Sequence, residues 1–109
     1  MVFVVLCFLL ILMFLVHCHR RRVFWFYRTS CIHCQRMQGE WQKVESKTKW
    51  AYLPYIELNK IDLDREENRQ IGLDFNVTSV PFLVKMQGGV KNMYNGDRSA
   101  QSLLQWIYA

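Results

Sequence analysis

Hydrophobic and polar positions divide the chain into an unbroken apolar start and an alternating remainder. Residues 1–16 are apolar throughout, and HCHRRR follows at once. A helix over such a run is about 24 Å long, somewhat less than the hydrocarbon layer, and extension to His19 lengthens it. The run has neither the basic start nor the small-residue cleavage site of a signal peptide. We therefore predict a transmembrane signal-anchor helix over residues 1–19 and a basic juxtamembrane stop over residues 20–22.

This prediction carries a location with it. The single anchor predicts a single-pass membrane protein, with a viral membrane as one option. The arginines follow the apolar run and none precedes it, so the positive-inside rule sets the orientation. The C-terminal domain, residues 23–109, is then expected on the cytoplasmic side.

In residues 23–109 short apolar runs alternate with amphipathic stretches, which predicts the element order β-α-β-α-β-β-α. The opening strand-helix-strand unit favours a parallel pair with a right-handed crossover, and the later hairpin adds antiparallel strands. The sequence thus predicts an α/β fold with a mixed four-stranded sheet flanked by helices. Asp64 and Ser99 are predicted to cap the second and third helices. The predicted strands are 23–28, 55–63, 81–86 and 90–96, and the predicted helices are 34–48, 64–73 and 99–108.

Length and charge limit the classes of function. The chain has 109 residues, 51% of them hydrophobic, which suffices for one domain with one core. The formal net charge is +5, but Arg20, Arg21 and Arg22 supply a large part of it and the rest of the chain is nearly balanced. The sequence therefore gives little support to nucleic-acid binding.

The stretch YRTSCIHCQRM contains the residues with the clearest chemistry. Cys31 and Cys34 follow a predicted strand and open a predicted helix, where free N–H groups and the helix dipole favour a thiolate. Cys34 is one turn away, and His33 lies between the two and would add positive charge. This pattern favours a redox dithiol.

Two alternatives to a redox dithiol remain open. His17, Cys18 and His19 precede the cysteine pair at a finger-like distance, so the set could form a tetrahedral zinc site. Cys31 and Cys34 could instead be inert buried thiols.

Several separated segments together resemble the thioredoxin superfamily. CQRMQG, KIDLD and FNVTSVP are similar to the segments that follow the second cysteine, form the central strand and end in the cis-proline of that family. Gly39 lies where thioredoxins usually carry proline at a helix kink, and Gly96 matches a glycine after their last strand. The resemblance covers residues 23–109 and implies a thioredoxin-like fold.

The resemblance implies a role for individual residues. Cys31 would be the nucleophile and Cys34 the resolving thiol. Pro81 would be the cis-proline, and Val80 would offer its backbone to an extended substrate. Lys60 resembles the family's lysine, which implies a part in proton transfer. The redox-active disulfide Cys31–Cys34 would serve in place of a cofactor, and no metal is implied.

The sequence also departs from the family pattern. Ser30 replaces a tryptophan before the first cysteine, Phe82 replaces a threonine after the proline, and Trp25 replaces a buried aspartate that assists the resolving cysteine. The CIHC centre is more similar to those of protein disulfide isomerases and bacterial disulfide oxidases. A stabilised thiolate favours the reduced form, which is typical of an oxidant or an isomerase.

The sequence therefore predicts a membrane-anchored thiol-disulfide oxidoreductase that forms, reduces or isomerises protein disulfides. Its partners would be protein thiols and disulfides or a redox partner protein, together with the membrane through residues 1–19. The alternative is a thioredoxin-fold structural or interaction module of a membrane-associated assembly, such as a virus particle, with little turnover. A zinc-binding module is the third hypothesis.

Overall fold

The computed structural model describes residues 1–51 and 54–109, and the side chains of residues 16–19 lie outside that description. Its helices and strands follow one another in the predicted order after an N-terminal helix. A 3-10 turn, Glu66–Asn68, precedes the third helix. The elements are α1 (Val2–His19), β1 (Arg21–Tyr27), α2 (Ile32–Thr48), β2 (Ile56–Asp62), α3 (Arg69–Asp74), β3 (Phe82–Gln87), β4 (Val90–Tyr94) and α4 (Ala100–Tyr108).

The four strands form one mixed sheet in the order β2-β1-β3-β4. β1 runs parallel to β2 and antiparallel to β3, and β3 pairs antiparallel with β4. A two-glycine turn joins β3 to β4, where Gly88 and Gly89 have φ of 56° and 79°. Such positive φ angles are the ones that a two-residue hairpin turn requires. The predicted thioredoxin-like sheet is confirmed.

The N-terminal prediction needs correction. No helix over the residues that the structure describes combines the length and the apolar character needed to cross a membrane. A span takes about 20 consecutive apolar residues. The predicted transmembrane helix over residues 1–19 is therefore wrong. So is the single-pass membrane location with a cytoplasmic C-terminal domain, and the predicted membrane contact through these residues has no support.

The arginines at positions 20–22 make their contacts within the folded unit. Arg20 and Arg22 both pair with the carboxylate of Glu57, at 2.7 and 3.1 Å. Arg21 opens β1 and donates a hydrogen bond of 2.6 Å to the main-chain carbonyl of Ile107, in the last turn of α4. The first strand accordingly begins at Arg21, two residues earlier than its apolar pattern indicated.

Alternation along β1 gives the sheet two buried faces. Val23 and Trp25 face the larger cluster, which α2 and α4 cover. Phe24 and Phe26 face a smaller cluster on the α3 side. A strand buried on both faces is fully apolar because neither set of alternating side chains meets water. α2 contributes residues spaced by one helical turn to the larger cluster: Cys34, Met37, Trp41 and Val44.

Of the two predicted helix caps, Ser99 is confirmed and Asp64 is wrong. The side chain of Ser99 accepts a hydrogen bond from the N–H of Ser102, as expected of the cap of α4. Asp64 does not cap a helix, because the chain turns helical only at Glu66, with Arg65 as the preceding residue. The Asp64 carboxylate is used instead to fix the loop before the cysteine pair.

Candidate functional site

The two cysteines lie where β1 gives way to α2. Cys31 is the N-cap of α2, with extended backbone at φ −81° and ψ 117°. Its sulfur accepts a hydrogen bond from the N–H of Cys34, with an N–Sγ distance of 3.3 Å. Its thiol faces the carbonyl oxygen of Val80 at 3.8 Å. An N-cap satisfies N–H groups that have no partner within the helix, so the sulfur meets the positive end of the helix dipole.

The loop before Cys31 is fixed from the far end of β2. The carboxylate of Asp64 accepts hydrogen bonds from the hydroxyl and the N–H of Thr29, at 2.8 and 2.9 Å, and from the guanidinium of Arg28 at 3.1 Å. Chiefly through the Thr29 hydroxyl, these bonds hold the pKa of Asp64 below its ordinary value. Asp64 and Thr29 are distant in sequence, so the sequence pattern did not reveal this contact.

Cys31 is the thiol poised to ionise. Its pKa is lowered chiefly by the hydrogen bond with the Cys34 side chain, and further by the N–H groups of Cys34 and His33 and by the charge of Arg98. Partial burial works in the opposite direction. A lowered pKa increases the thiolate fraction, and the thiolate is the nucleophile in disulfide exchange.

Cys34 has the opposite environment. It is 2% exposed and packs in the apolar cluster that includes Trp25 and Met37. Burial, followed by the interaction with Cys31, raises the pKa of Cys34 to about 11. At neutral pH this cysteine is therefore a protonated thiol beside an activated one. Both are free cysteines, so the structure represents the reduced dithiol.

His33 acts on the dithiol through its backbone. Its side chain is exposed, and the group that lowers the pKa of Cys31 is the N–H of His33. Any residue other than proline at this position offers the same N–H. The catalytic role predicted for the imidazole stays a prediction.

Val80 and Pro81 lie directly opposite the cysteines. The Val80–Pro81 peptide bond is cis, as the resemblance implied. Val80 packs against the same apolar cluster as Cys34, and its carbonyl faces the Cys31 thiol. The fold thus brings together segments that are 49 positions apart. Their part in binding a substrate stays a prediction.

Trp25 packs in the same apolar cluster as Cys34. It is fully buried, and its ring lies 5.1 Å from that of Trp41 and 4.9 Å from that of Tyr27. The ammonium of Lys60 lies over the rings of Trp25 and Tyr27, at 5.3 and 5.0 Å from their centroids. The structure thus places Lys60 in cation–π contact with the residue that replaces the family's aspartate.

Arg98 is a site residue that sequence reasoning missed. It lies in the loop between β4 and α4, and its charge lowers the pKa of both Cys31 and Cys34. The sequence offered no signal for it, because a single arginine in a polar loop has no distinguishing pattern. Only the folded sheet brings this loop beside the dithiol.

The zinc hypothesis rested on residues that are only partly described. The side chains of His17, Cys18 and His19 lie outside the described residues. Across the remainder, no three side chains of His, Cys, Asp or Glu come close enough together to hold a metal ion.

The fold and site together define a class of protein. A mixed four-stranded sheet carries an asymmetric pair of thiols at the start of α2, and a cis X-Pro bond faces the outer thiol. This arrangement is that of a thioredoxin-fold protein with a pair of free thiols at the start of α2.

Comparison with known proteins narrows the class. The thioredoxin family matches residues 14–109. A thioredoxin domain-containing protein 5 homolog of Drosophila melanogaster is 31% identical over 83 residues, which are 75% of this chain and 20% of that protein. A protein disulfide-isomerase of Ricinus communis is 27% identical over 84 residues, covering 75% of this chain and 17% of that protein. The first thioredoxin domain of mouse protein disulfide-isomerase A4 shares the fold, with a TM-score of 0.70 at 24% identity, covering 81% of this chain and 61% of that one.

The chain belongs to the thioredoxin family. Its relatives include protein disulfide isomerases, which supports thiol-disulfide oxidoreduction at the level of the family. The chain spans about a fifth of the length of these curated relatives.

Proposed function

We propose that the protein is a thiol-disulfide oxidoreductase in which Cys31 is the nucleophile and Cys34 resolves the mixed disulfide. The observation that carries this proposal is the position of the Cys31 sulfur. It lies at the start of α2, 3.3 Å from the N–H of Cys34 and 3.8 Å from the carbonyl of Val80. A sulfur in this position is stabilised as a thiolate and open to an incoming disulfide.

The exchange begins with the Cys31 thiolate. It attacks one sulfur of a substrate disulfide, a Cys31–substrate bond forms, and the second substrate sulfur leaves as a thiolate that takes up a proton. Cys34 then loses its proton and attacks the Cys31 sulfur. The substrate leaves as a thiolate and the Cys31–Cys34 disulfide remains. Two electrons pass from the protein to the substrate, and the reverse sequence donates a disulfide. The dithiol carries the electrons itself, so no further cofactor is proposed.

The backbone at Val80 and Pro81 is the proposed contact for the substrate. The Val80 carbonyl faces the Cys31 thiol, so a chain lying along it would bring a sulfur to Cys31. An extended segment pairs through main-chain hydrogen bonds, which do not depend on the substrate's side chains. Protein disulfides, or a partner protein with a reactive thiol, fit this contact.

Resolution is the demanding step in this mechanism. The thiol of Cys34 is buried, and its pKa of about 11 disfavours the thiolate that must attack. Lys60 is the proposed aid to proton transfer. Because its ammonium lies over Trp25 and Tyr27, it would have to leave these rings to act on Cys34.

The burial of Cys34 also favours a second candidate function, that of an interaction module. A protein whose mixed disulfide resolves slowly would hold its partner through Cys31 rather than turn it over. The burial of Trp25 and Cys34 in one apolar cluster supports this interaction module, because a thiolate is poorly stabilised there.

Trapping of the mixed disulfide tests the proposed catalytic roles. The variants are made in a background with Cys7→Ala and Cys18→Ala, so that only the dithiol reacts. Cys34→Ala mixed with a disulfide-containing protein should accumulate a covalent adduct through Cys31, seen on a non-reducing gel. Cys31→Ala, the matched control, should give none. The absence of adducts with Cys34→Ala would contradict the proposal.

A further inference from the structure

A cavity of about 320 Å³ opens on the side of β3 and β4, next to the cis-proline whose preceding residue, Val80, faces Cys31. Its walls come from the residues around the cis-proline and from the loop that joins β4 to α4. The residues that matter here are Pro81, Phe82, Met93 and Arg98. The cavity thus continues the backbone segment that faces Cys31.

Arg98 supplies the charge of this cavity. It is exposed, and among the described residues it takes part in no ion pair. The adjacent Asp97 forms no ion pair with it in the part of the chain that the structure describes, and the Asp97 carboxylate accepts hydrogen bonds from the N–H of Ser99 at 3.3 Å and from the hydroxyl of Ser102 at 3.1 Å. The charge of Arg98 also lowers the pKa of both thiols, though it has less influence on each than burial and hydrogen bonding have.

The loop that carries Arg98 is held on both sides. The hydroxyl of Tyr94 donates to the carbonyl of Asp97. The carboxylate of Glu40, on α2, accepts a hydrogen bond of 2.8 Å from the N–H of Ala100. These contacts fix the start of α4 against α2 and hold the main chain of the loop from which the Arg98 side chain lines the cavity.

The rest of the cavity offers apolar surface. Met93 is 66% exposed and Phe82 lies at the opening of β3, next to the proline. Methionine adapts to side chains of different shape because it is unbranched and polarisable. The cavity therefore combines an arginine that forms no ion pair within the described ranges of the chain with an adaptable apolar wall.

We propose that this cavity, through Arg98, selects substrates whose reacting cysteine has an acidic side chain next to it. The inference rests on the proposed function, since it describes how the same dithiol chooses among disulfides. A substrate segment that lies along Val80 would place the neighbouring side chain toward the cavity, where a carboxylate meets the guanidinium. Charge complementarity of this kind discriminates between partners more than it adds affinity.

Peptides with one cysteine test the preference. The cysteine is joined by a disulfide to 2-mercaptoethanol, which is uncharged, and both flanking residues are Glu, Gln or Lys. Single-turnover reduction by the reduced protein, in the Cys7→Ala, Cys18→Ala background, gives a rate constant for each peptide. Each rate is divided by that with dithiothreitol, which corrects for the intrinsic reactivity of the peptide.

With the wild-type dithiol, the corrected rate constant for the Glu-flanked peptide should exceed that for the Gln-flanked peptide by about two- to fivefold, which is the range of an exposed ion pair. The corrected rate constant for the Lys-flanked peptide should be lower than both. Arg98→Gln should bring the ratio to about one, and Arg98→Lys should keep part of it. Arg36→Gln is the matched control, because Arg36 is exposed near the dithiol but does not line the cavity. Ratios within one variant cancel any change in Cys31 reactivity.

Equal corrected rates for all peptides, or a preference that survives Arg98→Gln, would overturn the inference and leave the proposed function intact. Failure to reduce any of the peptides would contradict the proposed function, and this inference with it.

Discussion

Cys31 and Cys34 lie three residues apart at the start of α2, yet their sulfurs have opposite surroundings. Cys31 receives N–H groups at the start of α2, which lower its pKa, whereas Cys34 is buried among apolar side chains. The difference comes from the helix itself, because the N-cap points out of the first turn and the third residue after it points into the core. The strand-to-helix position of Cys31 in the sequence indicated this asymmetry, and the assignment of Cys31 as the attacking thiol stays a prediction.

Alkylation should distinguish the two thiols. At about pH 7, iodoacetamide should modify Cys31 and leave Cys34 unmodified, because only Cys31 has an appreciable thiolate fraction. The Cys34 rate should rise only as the pH approaches its pKa of about 11. Mass spectrometry of protein carrying Cys7→Ala and Cys18→Ala measures both rates. Equal rates at neutral pH would contradict the asymmetry.

Other site residues lay beyond what sequence reasoning could supply. Asp64 was expected to cap a helix, but its carboxylate bonds to Thr29 instead. Arg98 gave no signal at all. Both act across the fold on the segment around Cys31, and a contact between distant segments leaves no periodic trace in the sequence.

At the scale of helices and strands, alternation and periodicity predicted the elements of residues 23–109 well. The pattern in residues 23–28 predicted β1, and the spacing of Met37, Trp41 and Val44 predicted the buried face of α2. The apolar start misled, because its run over residues 1–16 was extended to His19 to approach the length of about 20 apolar residues that a span takes. The arginines at positions 20–22 were predicted to be a basic juxtamembrane stop. A run of like charges does not show that Arg21, in β1, donates a hydrogen bond to α4.

The two arginines that open β1 should differ in their effect on stability. Arg21→Met leaves the carbonyl of Ile107 without its charged donor, which should lower the free energy of unfolding by about 1–3 kcal/mol. Arg22→Met removes an exposed pair with Glu57 and should cost at most about 1 kcal/mol. Urea unfolding followed by tryptophan fluorescence measures both. A larger loss for Arg22→Met would contradict these assignments.

At the scale of the whole molecule, the sheet order creates the site. β3 lies next to β1, so the cis-proline before β3 reaches the end of β1 where the cysteines lie. The same arrangement brings the loop after β4 beside the dithiol. Local patterns predicted the β1–β2 and β3–β4 pairs, but the placement of β3 beside β1 was indicated only through resemblance to a family.

The central claim is that Cys31 reacts first and Cys34 then resolves the bond. The most direct test adds oxidised glutathione to the reduced protein that carries Cys7→Ala and Cys18→Ala. The reaction is quenched with acid at intervals and followed by mass spectrometry. A glutathione adduct on Cys31 should appear first and decay as the Cys31–Cys34 disulfide forms, and Cys34→Ala should retain the adduct. An adduct on wild-type Cys31 that persists with no internal disulfide, or a first adduct on Cys34, would contradict the claim.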